Sequence, residues 1–222
     1  MPTYLLPTAP TARDALLPAD PGHALLLAQG LLTSPLMSNH SHGLWGYHGA
    51  TPDGRPLTIQ STGIGGPSAA IVLRELSELG VERAVRVGAC TALDPALDPG
   101  SAIVAERALA GDGTSAALGA TGAVAPDPAL TRRLADAAPD AGVASVASTD
   151  PFYDGRPDGA PVADLESAAL LALGDAVGVA VAAILVVSPA SEDRIARAGS
   201  AASAALAAGQ DRSRGSGIES PA

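Results

Sequence analysis

The chain has 222 residues, of which 47% are hydrophobic and 2% aromatic, and a formal net charge of −10. That apolar content supports a sizeable core and excludes wholesale disorder, while the acidic balance argues against a basic nucleic-acid-binding face. All thirteen basic residues are Arg and Cys90 is the single cysteine, so lysine chemistry, an intrachain disulfide and a cysteine zinc site are all excluded.

Residues 1–22 carry five prolines and read as loosely organised. With no basic start and no sustained apolar stretch, they do not read as a secretory signal, and a soluble cytoplasmic protein is expected. Leu57–Thr62 reads as a strand running into a glycine turn at Gly63–Gly66. Pro67–Leu79 then reads as a helix, with an apolar face at Ala70, Ile71, Leu73, Leu76 and Leu79 and a stop at Gly80. Arg83–Gly88 and Ser101–Glu106 read as strands, and Gly111–Asp127 as a long loop. Pro128–Ala138 is an amphipathic helix capped by Asp127, and Gly142–Ser148 is a strand. Asp164–Ala176 reads as an Ala/Leu-rich helix. Val179–Val187 reads as a strand buried on both faces, in an apolar run too short to span a membrane. Ser191–Ala208 is the last helix, with Glu192 and Asp193 in its first turn. The alternation predicts an α/β fold, a three-layer α/β/α arrangement on a mixed central sheet. Residues 1–208 read as one domain and 209–222 as a flexible polar tail.

Three segments are candidates for chemistry. The turn Ser61–Ser68 (STGIGGPS) combines a helix start with three glycines that permit close backbone approach to a ligand; its alternative is a tight packing turn. Arg86 lies inside an apolar strand, where its charge needs an anion, either a ligand or a carboxylate such as Asp94 or Glu106. Asp164 and Glu166 open an apolar helix. They either serve its dipole, or Glu166, in line with Ala169, Leu170 and Leu173, points inward to hold hydroxyls such as those of a sugar. Cys90 reads as a small buried filler, and His40, His42 and His48 as surface or a subunit contact, with no strong metal signature.

Together, Ser61–Ser68, Gly80–Ala92 (GVERAVRVGACTA), Gly111–Ser115 (GDGTS), Ala147–Gly155 (ASTDPFYDG) and Asp164–Leu171 (DLESAALL) resemble the nucleoside phosphorylase family, most closely its uridine phosphorylase branch. Pro18–Pro21 (PADP) resembles a weakened form of its phosphate loop, and the match runs over roughly residues 15–208. The resemblance implies phosphorolysis of a nucleoside N-glycosidic bond, pyrimidine-leaning, to free base and ribose 1-phosphate. It implies inorganic phosphate as co-substrate and no other cofactor, no nucleic-acid or membrane partner, and a homo-oligomer, dimer or hexamer. Carried over by motif, Arg86 and Glu166 are the catalytic pair. Arg86 is joined at the phosphate by Asp20 and Thr91, with His23 and His42, when protonated, as partial replacements for arginines that the family carries near those positions. Leu165 and Glu166 take the ribose. Cys90, Thr91, Phe152, Arg156 and Asp158 take the base, although Arg156 and Asp158 also read as exposed loop charge.

Several positions depart from the family pattern. Ala19 stands for a glycine and His23 for an arginine in the phosphate loop. The second phosphate arginine, which would fall near His42–Gly43, is absent. Ala89 replaces a phosphate-binding Ser or Thr, Thr91 a glycine, and Pro189 the acid that the purine branch carries. These changes leave open a hydrolytic nucleosidase on the same fold, or a non-catalytic nucleoside- or base-binding protein.

Overall fold

A mixed sheet of ten strands organises the chain. The structure is a computed structural model describing residues 2–151 and 158–208; the predicted tail lies outside the described residues. The strands are β1 (Asp14–Leu17), β2 (Thr33–Asn39), β3 (Gly46–Ala50), β4 (Pro56–Gln60), β5 (Arg83–Ala92), β6 (Ala102–Gly111), β7 (Ala123–Val124), β8 (Gly142–Thr149), β9 (Val162–Asp164) and β10 (Ala180–Val187). The helices are α1 (Pro21–Leu31), α2 (Gly65–Glu78), α3 (Gly113–Ala117), α4 (Pro128–Ala137), α5 (Ser167–Val177) and α6 (Glu192–Ala207).

Long β5 is the hub. It pairs in parallel with β1 over Arg83–Arg86 and with β10 over Arg83–Cys90, and antiparallel with β9 at Thr91–Ala92. Its neighbours therefore change just beyond Arg86. The pairings β5–β10, β10–β6, β6–β8, β8–β9 and β9–β5 close a ring. Buried Ile103, Val146, Val162 and Leu185 fill one cluster of that region with Cys90. Alternation along the strands sends Val85, Val87, Ile184 and Val186 to the layer of α1, α4 and α6, where Leu27, Leu130, Leu134, Ile195 and Leu206 bury. Ala15, Leu17 and Ala84 meet α2 and α5 through Leu73, Leu76, Leu170 and Leu173. The three-layer α/β/α expectation is met, with the sheet curled into a partial barrel.

Local signals place most helices. The Asp127 carboxylate accepts the Leu130 N–H at 2.7 Å and Pro128 opens α4, as read from sequence. Ser191 caps α6 and left-handed Gly178 ends α5. Three expectations change. The supposed loop Gly111–Asp127 contains α3, capped by Asp112, and the short strand β7. The prolines of residues 1–22 flank β1, and Pro21 opens α1. Asp164 ends β9 rather than starting a helix, and α5 begins only at Ser167.

The first residues are also held. Glu75, buried on α2, accepts the backbone N–H groups of Thr3, Tyr4 and Leu5 at 2.6–3.0 Å. Leu6 N–H goes to Asn39 Oδ1 at 3.0 Å.

Candidate functional site

Arg86 shares one face of β5 with Ala84, Gly88 and Cys90, by the two-residue repeat of a strand. Its side chain is only 2% exposed. Nε donates to Asp164 Oδ2 at 2.9 Å and Nη2 to Glu166 Oε2 at 2.5 Å. Nη1 is buried, with no hydrogen-bond partner among the described residues. The guanidinium lies over Gly88, where a Cβ would come within 3.1–3.3 Å of Nη2, Cζ and Nη1. Burial opposes the charge on Arg86, but Glu166 and Asp164 outweigh it and raise the pKa. The anion that Arg86 required is therefore this carboxylate pair and not Asp94 or Glu106. Asp94 is exposed and accepts the Ala96 N–H, while Glu106 accepts from Ser145.

Glu166 joins two of the sequence motifs. Its Oε1 accepts the Gly65 N–H of the STGIGG turn at 2.8 Å while Oε2 holds Arg86. It sits at the N-cap position of α5 but makes no cap bond, so its acceptors face the site. The turn itself is set by left-handed Gly63 and Gly65 and by Ser68 Oγ, which donates to the Thr62 carbonyl at 2.6 Å. Thr62 and Gly63 donate backbone N–H groups to the carbonyls of Pro18 and Ala19, which brings the PADP loop alongside. The GDGTS motif meets the same helix start: a Cβ on Gly66 would lie 2.8 Å from Thr114 Oγ1 and 3.0 Å from Asp112 Oδ1.

The remaining sequence candidates are distributed around this centre. Asp20 is exposed and accepts the Gly22 N–H at 2.6 Å, capping α1, and His23 is half-buried in that helix's first turn. His42 is exposed, with its ring edge-on to Tyr4 at 5.2 Å. Leu165 is half-buried between the two carboxylates, and Thr91 is half-buried where β5 pairs with Ala163. Cys90 is buried, and burial together with the Asp164 charge pushes its thiol up to about 12, the fitting state for a filler. Asp158 is exposed, while Phe152 and Arg156 lie outside the described residues. Among the described residues no group of three or more His, Cys, Asp or Glu is arranged to hold a metal, and no helix is long and apolar enough to cross a membrane.

Sequence reasoning missed what Asp164 does. Its carboxylate, 3% exposed, accepts from Arg86 Nε, from Ser148 Oγ at 2.7 Å, from Ser167 Oγ at 2.6 Å and from the Ser167 N–H. The only signal was a second carboxylate two residues before Glu166, which helix-start statistics explain equally well.

Known proteins share this architecture. Over 154 residues the chain is 36% identical to a uridine phosphorylase of Thermococcus kodakarensis, covering 66% of this chain and 54% of that protein. It is 35% identical over 150 residues to the uridine phosphorylase of Escherichia coli, covering 64% of this chain and 57% of that one. The match thus spans little more than half the length of these curated relatives. A DeoD-type purine nucleoside phosphorylase of Clostridium novyi is 31% identical over 192 residues, covering 80% of this chain and 82% of its own. The crystal structure of a uridine phosphorylase from Vibrio fischeri superposes with a TM-score of 0.79 at 25% identity, covering 88% of this chain and 91% of that one. The family model described as the phosphorylase superfamily matches residues 13–210, and the chain belongs to that superfamily.

Proposed function

We propose that the protein cleaves the N-glycosidic bond of a nucleoside, pyrimidine-leaning, with inorganic phosphate as the acceptor. The observation that carries this reading is the buried pair Arg86–Glu166, tied to the helix start of the STGIGG turn through Gly65. Glu166 is an acceptor-rich carboxylate suited to the 2′- and 3′-hydroxyls of a ribose. Arg86 keeps Nη1 for a phosphate oxygen. As the C1′–N bond lengthens, positive charge grows on the sugar, and the carboxylates and the phosphate dianion stabilise it. A phosphate oxygen then bonds to C1′. The bonding pair leaves with the base, which takes up a proton, and ribose 1-phosphate remains.

A second reading, hydrolysis, has one specific observation in its favour. Arg86 is already held by two carboxylates, so these three buried groups sum to one negative charge, which disfavours an anionic acceptor. The deciding experiment is a panel of pyrimidine and purine nucleosides assayed with and without phosphate, reading free base and sugar product. Phosphate-dependent release with ribose 1-phosphate is the expected result. Release that ignores phosphate and yields ribose assigns hydrolysis. Nucleoside binding in calorimetry without any release assigns a non-catalytic binder. A homo-oligomer accompanies this proposal, supported by exposed Tyr4, Leu6, Leu36 and Met37 on the N-terminal segment and β2, and checked by light scattering.

A further inference from the structure

We infer that Asp164 is a positioning residue for this site. It neutralises and orients Arg86, so that Glu166 keeps its acceptors for the sugar and Nη1 is left for the incoming oxygen. The inference rests on the ribosyl-transfer reading above and goes beyond it in giving the second buried carboxylate a task of its own.

The geometry is a two-point hold. Nε, the inner nitrogen of the guanidinium, goes to Asp164, and Nη2, on the outer edge, goes to Glu166. Two such contacts set the plane of the group, and Gly88 leaves room for it to lie flat against β5. Asp164 is itself immobilised. Ser148 Oγ donates to its Oδ1, and that hydroxyl also accepts the Ala168 N–H at 2.9 Å. Ser167 donates to Asp164 through both its hydroxyl and its backbone. Both serines are fully buried, so water does not compete for these bonds. The strand pairing supplies the rest: β9 lies between β8, which carries Ser148, and β5, which carries Arg86.

The charge balance separates the two carboxylates. Asp164 is saturated by its donors and faces Arg86 through the shortest acidic side chain. Glu166 spends one contact on Arg86 and one on Gly65 N–H, and its remaining lone pairs are available to hydroxyls. With Asp164 neutral, Glu166 becomes the sole counter-ion of Arg86 and is drawn from the ribose toward the guanidinium.

The test combines kinetics with a signal from the arginine itself. Asp164→Asn is expected to lower kcat/KM for nucleoside cleavage by about 100-fold, the scale of a misplaced catalytic group. Ser148→Ala is expected to lower it by about tenfold, as for loss of an outer hydrogen-bond partner. In a double-mutant cycle, Asp164→Asn added to Arg86→Ala is expected to cause no further loss, because Asp164 acts through Arg86. Multiplying losses overturn the inference. Independently of turnover, the Arg86 Nε–H resonance, assigned by its disappearance in Arg86→Lys, is expected to move upfield and exchange faster in Asp164→Asn. An unchanged resonance overturns the inference. Should Asp164→Asn fail to fold, the same resonance in Ser148→Ala decides the matter. If the wild type releases no base under any condition, the function proposed above fails while the resonance still judges Asp164.

Discussion

The guanidinium of Arg86 lies tightly against the position that a Cβ on Gly88 would take. The two residues are neighbours on one face of β5, and a Cβ at Gly88 would come within 3.1 Å of Nη2. Gly88→Ala is therefore expected to push Arg86 off its contacts with Asp164 and Glu166. Overpacking of this kind destabilises by about 1–3 kcal/mol. The displaced arginine should lower kcat/KM by about 100-fold. Denaturant melts and nucleoside cleavage assays check both; an alanine variant with wild-type kinetics would show that the guanidinium position is irrelevant.

Removing Arg86 leaves two carboxylates buried together. Arg86→Ala is expected to destabilise the fold by about 3–5 kcal/mol, the usual result of stranding one side of a buried ion pair. Arg86→Ala combined with Asp164→Asn and Glu166→Gln should regain much of that loss, because no unpaired charge remains. Urea unfolding midpoints measure the series, and equal stability of the single and triple variants would refute the electrostatic account.

Glu75 makes the attachment of the N-terminal segment sensitive to acid. Burial opposes its ionisation, but the N–H groups of Leu5, Thr3 and Tyr4 outweigh that and hold the carboxyl below its ordinary value. A depressed folded-state pKa contributes stability that is present above the unfolded glutamate value of about 4.3 and is lost as pH falls through the lower folded value. Amides of residues 3–5 should therefore exchange faster at low pH once corrected for intrinsic rates, and Glu75→Gln should abolish the dependence. Protection that is flat with pH in the wild type would count against this.

Cys90 should be inert in the native protein. A thiol moved from 9.0 to about 12 holds roughly a thousandfold less thiolate at pH 8. Iodoacetamide labelling followed by mass spectrometry is expected to show modification only after unfolding. Rapid labelling of the folded chain would mean that the thiol is exposed or ionised.

Much of this protein was decided by neighbouring residues. Asp127 with Pro128, and Ser191 at the head of α6, set helix starts through contacts three residues long, so reading the chain locally located them. The uninterrupted apolar run of β10 marked a strand covered on both sides. The same reasoning required an anion for Arg86 and offered an inward-facing Glu166 beside a helix-dipole role, and the order of the motifs pointed to the family. Locally weak segments escaped it: β1 is only four residues long and is held by pairing with distant β5, while β2 and β3 carry a proline, glycines and polar residues and are held by antiparallel pairing with the next strand in the chain.

Tertiary structure alone decided which carboxylates meet Arg86. Nearby candidates such as Asp94 and Glu106 lost to Asp164 and Glu166, which lie 78 and 80 residues away. The physical reason is that a buried charge is satisfied by whatever the sheet register delivers. Here the register sets β9 between β5 and β8, so that Arg86, Asp164 and Ser148 share one buried hydrogen-bond network. Composition and spacing demanded a partner for the arginine; strand pairing across the chain supplied two, Asp164 at the end of β9 and Glu166 just beyond it.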